Sequence, residues 1–124
     1  MGGAALSIFG KDFPTTDGTP VRDYIHVEDL GRAHILALQH LIAGGKSDFI
    51  NLGTGKGNSV REIINSLKEL DMAVNAIDAP RREGDPAFLV ADATKANQLL
   101  NWKPKYMDIK ETLKSAIVWH VKNG

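Results

Sequence analysis

Three glycines at alternate positions, Gly53, Gly55 and Gly57, lie between the apolar run Phe49-Ile50-Asn51-Leu52 and a pair spaced to cap a helix, Ser59 and Glu62. In such a pair the serine oxygen accepts from the amide three residues on, and the glutamate reaches back to the serine's own amide. The helix start is thereby fixed, and Val60, Ile63, Ile64 and Leu67 follow at helical spacing. The unit reads as strand, glycine loop, helix, which commits the chain to a mixed α/β architecture. Amides at a helix N-terminus can receive a pyrophosphate, so the loop invites a dinucleotide reading. The dinucleotide fingerprint is spaced G-x-G-x-x-G, wider than here, and Asn58-Ser59 already cap the helix, so the loop is read as structural. Val60 and the loop remain available as one wall of a ligand cleft.

The other elements follow the same logic. Residues 4–10 form a short apolar run ending at Gly10 and read as a strand, followed by a polar loop to about Pro20. Leu30, Ala33, His34, Ala37, Leu38, Leu41 and Ile42 mark a helix with Asp29 expected at its cap and Gly44-Gly45 as its stop. Residues 73–77 and 88–91 are expected strands, and residues 93–100 a helix burying Ala96, Leu99 and Leu100. A last helix is expected from Asp108, with Glu111 completing a second capping pair and Ile109, Leu113, Ala116, Ile117 and His120 buried. Trp102 and Trp119 read as packing, and His26, in an apolar run without a neighbouring nucleophile, as a core histidine with a satisfied hydrogen bond.

Composition narrows the function. At 124 residues the chain can bury roughly two thirds of the surface its unfolded form exposes, enough for one core. Fifteen basic and fifteen acidic side chains cancel, leaving no global field for nucleic acid or an acidic membrane. With no cysteine and four scattered histidines, no metal site is expected. No segment has the pattern of a leader or the length of a membrane span, so the cytoplasm is the expected compartment.

Any affinity for phosphate must then be local. Arg22, in Gly18-Thr19-Pro20-Val21-Arg22-Asp23-Tyr24, and Arg82, in Pro80-Arg81-Arg82-Glu83-Gly84-Asp85, each lie beside a turn glycine and an aspartate. A planar, permanently charged guanidinium suits phosphate oxygens, and two such elements suggest a diphosphate grip. Surface pairing of Arg22 with Asp23, and a solvated cluster at Arg81-Arg82, fit the same residues. No Tyr-x-x-x-Lys pair is expected at either tyrosine, so neither Tyr24 nor Tyr106 is read as a base.

Taken in order, the runs at residues 6–30, 51–60, 79–85, 91–96 and 100–102 resemble the C-terminal portion of the UDP-glucose 4-epimerases, extended short-chain dehydrogenase/reductases, over nearly the whole chain. The resemblance implies a mixed α+β fold with a small mixed sheet and about four helices, a single UDP-sugar-binding unit over residues 1–124 without the N-terminal Rossmann domain. It implies that Leu6, Ser7 and Phe9 hold uracil largely through backbone, that Arg22 and Arg82 contact the diphosphate, and that Tyr24 walls the pocket. It places Val60 near the nucleotide, Asp85 on the ribose hydroxyls and Leu89 in the sugar pocket, where relatives often carry tyrosine or cysteine. In the complete enzyme NAD and a tyrosine base move hydride at sugar C4; this chain alone is expected to bind no cofactor and to be catalytically silent. Its expected partners are a UDP-sugar, the missing NAD-binding half and, through apolar faces along residues 30–42 and 49–52, a second copy of itself as a homodimer or self-associated form. The alternatives are a non-catalytic UDP-binding or regulatory module and part of a related nucleotide-sugar dehydratase or decarboxylase.

Overall fold

A computed structural model describes residues 5–123. Nine elements follow in chain order among these residues: β1 (Leu6–Phe9), β2 (Val21–Arg22), α1 (Val27–Ile42), β3 (Asn58–Ser59), α2 (Val60–Glu69), β4 (Ala76–Ala79), β5 (Phe88–Leu89), α3 (Thr94–Leu100) and α4 (Ile109–Asn123). Strands β1 and β4 run parallel, in register from Leu6 opposite Ala76 to Phe9 opposite Ala79. A second sheet places β2 between antiparallel β3 and parallel β5, with Arg22 opposite Asn58 on one side and Leu89 on the other. The mixed α/β class and the helix count match the sequence expectation. Ala4, expected to begin the first strand, lies outside the described residues.

Helix α2 starts as its sequence dictates: the Glu62 amide donates to Ser59 Oγ at 3.0 Å and the Ser59 amide donates to Glu62 Oε1 at 3.0 Å. Helix α1 does not. Its cap is His26, whose Nδ1 accepts from the Glu28 amide at 2.9 Å, rather than Asp29. The Asp29 carboxylate is buried inside the first turn and occupied elsewhere, accepting from the amides of Lys105 (2.9 Å) and Tyr106 (3.0 Å) and from the Arg32 guanidinium (2.8 Å). The far end is as expected, with α1 closing at Ile42 and Gly44 in the left-handed region at φ 91°.

Ala33, Ala96, Leu100 and Trp102 form the core where α1 meets α3, with Ile25, Leu36 and Leu52 packed against it. Trp102 is pinned by its indole N–H, which donates to the Asp29 carbonyl at 2.9 Å.

Several expectations fail for lack of something to pack against. Residues 49–52 form no strand, because no other described strand offers them a ladder, and Phe49 is 94% exposed. The strand expected at 73–77 forms at Ala76–Ala79, where β1 supplies the pairing. The one expected at 88–91 stops at Leu89, and the Ala91 amide turns instead to the Asp23 carboxylate at 3.3 Å. Leu99 is exposed on α3. Helix α4 buries none of its described residues: Ile109, Leu113 and Ile117 are half-covered, while Ala116, His120 and Trp119 face outward. Asp108 does cap it, accepting from the Lys110 amide at 2.9 Å, and the helix touches the rest of the chain mainly along α2.

Candidate functional site

The glycine loop is held from a distance. Asp23, immediately after β2, accepts from the Thr54 amide (3.0 Å), the Thr54 hydroxyl (2.7 Å) and the Gly55 amide (2.9 Å). These are the donors a pyrophosphate would need at this loop, so the loop does not fit a dinucleotide and is structural, as its spacing implies. Asp23 is therefore unavailable to Arg22, and the surface pair that the sequence allows is not formed.

Arg22 turns to the opposite wall of its sheet. Its Nη1 donates to the Val21 carbonyl at 2.8 Å and to the Pro86 carbonyl at 3.0 Å. Arg82 lies four residues before that proline, its Nε donating to Asp85 Oδ2 at 2.9 Å and its Cζ standing 4.5 Å from the centre of the Phe9 ring. Asp85 and Pro86 are consecutive, so one turn tethers both guanidinium groups, one from each end. The remaining nitrogens of the two arginines make no hydrogen bond within the described chain.

The other candidates arrange around this pair. In β1 the amides of Leu6 and Gly10 donate to Asn75 and Ala79 beside β4, at 2.7 and 2.9 Å. Alternation along a strand then turns the backbone of Ser7 and Phe9 to the opposite edge, where no described strand pairs with them. Leu6 thus has no amide to offer, whereas Ser7 and Phe9 do. Leu89 is the register partner of Arg22 and is exposed. Val60 directly follows Ser59, the register partner of Val21, and its amide donates to the Pro20 carbonyl at 3.1 Å. Tyr24, half-buried two residues beyond Arg22, has its phenol pushed above the ordinary value by burial, against the pull of the Arg22 guanidinium. An open cleft of ≈ 500 Å³ lies elsewhere, between Gly53–Gly55 and the start of α3, and none of the nine candidates lines it.

Two juxtapositions go beyond the sequence reading. Lys110 stands four residues after Tyr106, the spacing of a Tyr-x-x-x-Lys pair, so the expectation that the chain offers no such spacing is corrected. The chemistry of that pair is nevertheless missing: the Tyr106 hydroxyl donates to Glu28 Oε2 at 2.8 Å, and Lys110 pairs with Glu69. The Glu28 bond raises the Tyr106 phenol above its usual value, the reverse of what a tyrosine base requires. Ser115 Oγ also meets His26 Nε2 at 2.9 Å, from 89 positions away. Because Nδ1 accepts from the Glu28 amide, the neutral ring carries its proton on Nε2 and donates to Ser115, so His26 cannot take a proton from that serine. It is buried and stacked on Tyr106 at 3.9 Å, the satisfied core histidine its sequence setting suggests.

Comparison with known proteins places this geometry. The profile of the family described as GDP-mannose 4,6 dehydratase matches residues 10–116. UDP-glucose 4-epimerase from Lacticaseibacillus casei is 48% identical over 116 residues, covering 93% of this chain and 35% of that protein. A crystal structure of a UDP-glucose 4-epimerase superposes with a TM-score of 0.90 at 48% identity, over 98% of this chain and 37% of the other. That of the Bifidobacterium longum UDP-glucose 4-epimerase in complex with NAD+ and UDP superposes at 0.80 with 38% identity, over 96% and 35%. The chain spans about a third of the length of the curated relatives it matches. It belongs to the GDP-mannose 4,6 dehydratase family of extended short-chain dehydrogenase/reductases and shares the fold of a portion of the UDP-glucose 4-epimerases.

Proposed function

We propose that this chain is the UDP-sugar-holding part of a UDP-glucose 4-epimerase, with Arg22 and Arg82 as a two-sided clamp on the diphosphate. The observation that carries this reading is the tethering of both guanidinium groups to the single Asp85–Pro86 turn, with their remaining nitrogens uncommitted. Charge-assisted bonds to phosphate are about twice as strong as neutral ones, and planar forks add direction. In this reading the open edges of Ser7 and Phe9 receive uracil, Leu6, Tyr24 and Val60 enclose the nucleotide, Asp85 offers its second carboxylate oxygen to ribose, and Leu89 borders the sugar.

Binding and chemistry are divided. NAD has no place at the glycine loop, whose amides Asp23 occupies, and Tyr106 and Lys110 are each engaged elsewhere. The chain alone therefore positions the substrate and turns nothing over; hydride transfer belongs to an NAD-binding part. The apolar side chains Ile35, Leu38 and Ile42 on α1, together with Phe49, are exposed and form the contact face for that part, or for a second copy when it is absent.

The test is titration calorimetry of the chain with UDP. Binding is expected, and Arg22→Ala and Arg82→Ala should each weaken it at least about tenfold, the loss of one charge-assisted interaction. No UDP binding at millimolar concentration would end this reading. The family profile favours one second reading, a nucleotide-sugar dehydratase or a related enzyme; tighter binding of GDP than UDP in the same titration would select it.

A further inference from the structure

Arg81 and Arg82 are adjacent in sequence but part company in the fold. Arg82 stacks on Phe9, whereas the Arg81 guanidinium lies 4.1 Å above the centre of the Phe13 ring. Arg81 also grips Asp12 twice, Nε donating to the carboxylate at 2.7 Å and Nη2 to the backbone carbonyl at 2.5 Å. Phe13 is itself buried, and its amide donates to the Gly18 carbonyl at 2.9 Å. Gly10 completes the contact: a Cβ there would lie 2.7 Å from the Phe13 ring and 2.8 Å from Arg81 Cγ, so its lack of a side chain leaves room for the stack. The end of β1 and the start of the arginine turn are thus clasped by a side chain that does not join the proposed clamp.

We propose that Arg81 is a positioning residue for Arg82: by locking the 80–85 turn onto the 10–13 loop it fixes the Arg82 guanidinium over Phe9 at the phosphate site. The proposal rests on the UDP-binding reading above. The clasp restrains the peptide that carries Arg82, so its loss leaves Arg82 intact but no longer preorganised, and affinity for the phosphates falls while affinity for the nucleoside does not.

Calorimetric titration of the full chain with UDP and with uridine separates these outcomes. Arg81→Ala should weaken UDP about tenfold and leave uridine within about twofold. Arg81→Lys, which keeps the charge and loses the planar fork, should be intermediate. Asp12→Ala opposes two explanations directly. It removes a negative charge, which by field alone would tighten UDP, whereas loss of the clasp predicts weakening of about threefold, the scale of an exposed ion pair. Unchanged or tighter UDP binding in Asp12→Ala, or equal losses for UDP and uridine in the Arg81 variants, overturns the positioning role. Should Arg81→Ala fail to fold, Arg81→Lys and Asp12→Ala decide the question. Arg82→Ala is the control: if it leaves UDP affinity unchanged, the UDP reading and this one both fall, whereas loss there with silent Arg81 and Asp12 variants removes only the positioning role.

Discussion

Asp23 and Thr54, 31 residues apart, are joined by two hydrogen bonds to one carboxylate oxygen, from the threonine amide at 3.0 Å and its hydroxyl at 2.7 Å. The other oxygen accepts from Gly55 and, at longer range, Ala91, so one side chain organises the glycine loop and the end of β5. Asp23→Ala leaves these donors without a partner in a half-covered setting. We expect a loss of about 2 to 3 kcal/mol in unfolding free energy, read from urea denaturation. A midpoint within error of the parent would show that water replaces the carboxylate and that the loop does not depend on it.

The buried Asp29 carboxylate makes stability depend on pH. Burial alone would push its carboxyl upward; the amides of Lys105 and Tyr106 and the Arg32 guanidinium outweigh this and hold it below the usual carboxylate range. With the folded value below the unfolded one of about 3.9, its contribution is complete above about pH 5 and drains away as pH falls through the folded value. Asp29→Asn should be less stable than the parent at pH 7 and lose less on acidification between about pH 4 and 2. Parallel stability curves for the two proteins over that range would contradict the assignment.

What the residues announce by themselves is local. The Ser59–Glu62 cap and the stop at Gly44 depend on neighbours within a few residues, and both form where the residues place them. Long-range competition is not legible in the same way: Asp29 looks like a helix cap until Lys105 and Tyr106 arrive from 76 and 77 positions away to claim it. The apolar runs at 49–52 and along α4 carry real hydrophobic signals, but burial needs an opposing surface: Leu52 finds one at the core and Ile109, Leu113 and Ile117 are half-covered, whereas Phe49 and Trp119 meet none among the described residues. At the candidate site, the paired arginines stand out as charges beside turns. Their common anchor does not, because the Arg22 to Pro86 bond spans 64 positions.

Glycine substitutions separate freedom that is used from freedom that is not. Gly31 lies in α1, and beyond its chain neighbours and the helix's own backbone no atom comes within 4 Å of where a Cβ would sit, so Gly31→Ala should stabilise by about 0.5 to 1 kcal/mol through helix propensity and a less flexible unfolded chain. Gly18 is at φ 83°, and a Cβ there would collide with the Lys11 carbonyl. Gly18→Ala should cost at least about 2 kcal/mol. Thermal unfolding of the pair, one midpoint rising and the other falling, checks both; a fall for Gly31→Ala would mean that its exposed position on α1 is needed bare.

The two tryptophans read alike in the sequence and should behave differently. Trp102 is 1% exposed, lies in the core with Ala33, Ala96 and Leu100, and donates to the Asp29 carbonyl that sits at the start of α1. Trp102→Ala removes a large buried side chain and the indole's bond to that carbonyl, and should cost about 3 to 5 kcal/mol. Trp119 is 65% exposed, beside Val118 and Val121, which are exposed as well. Trp119→Ala in the chain as it stands should shift stability by no more than about 0.5 kcal/mol. The same substitution is informative about association, because a contiguous exposed apolar cluster is the kind of surface on which proteins meet. If sedimentation shows that the parent self-associates and Trp119→Ala does not, α4 is part of the contact; if both associate equally, the exposed face of α1 and Phe49 carries it instead.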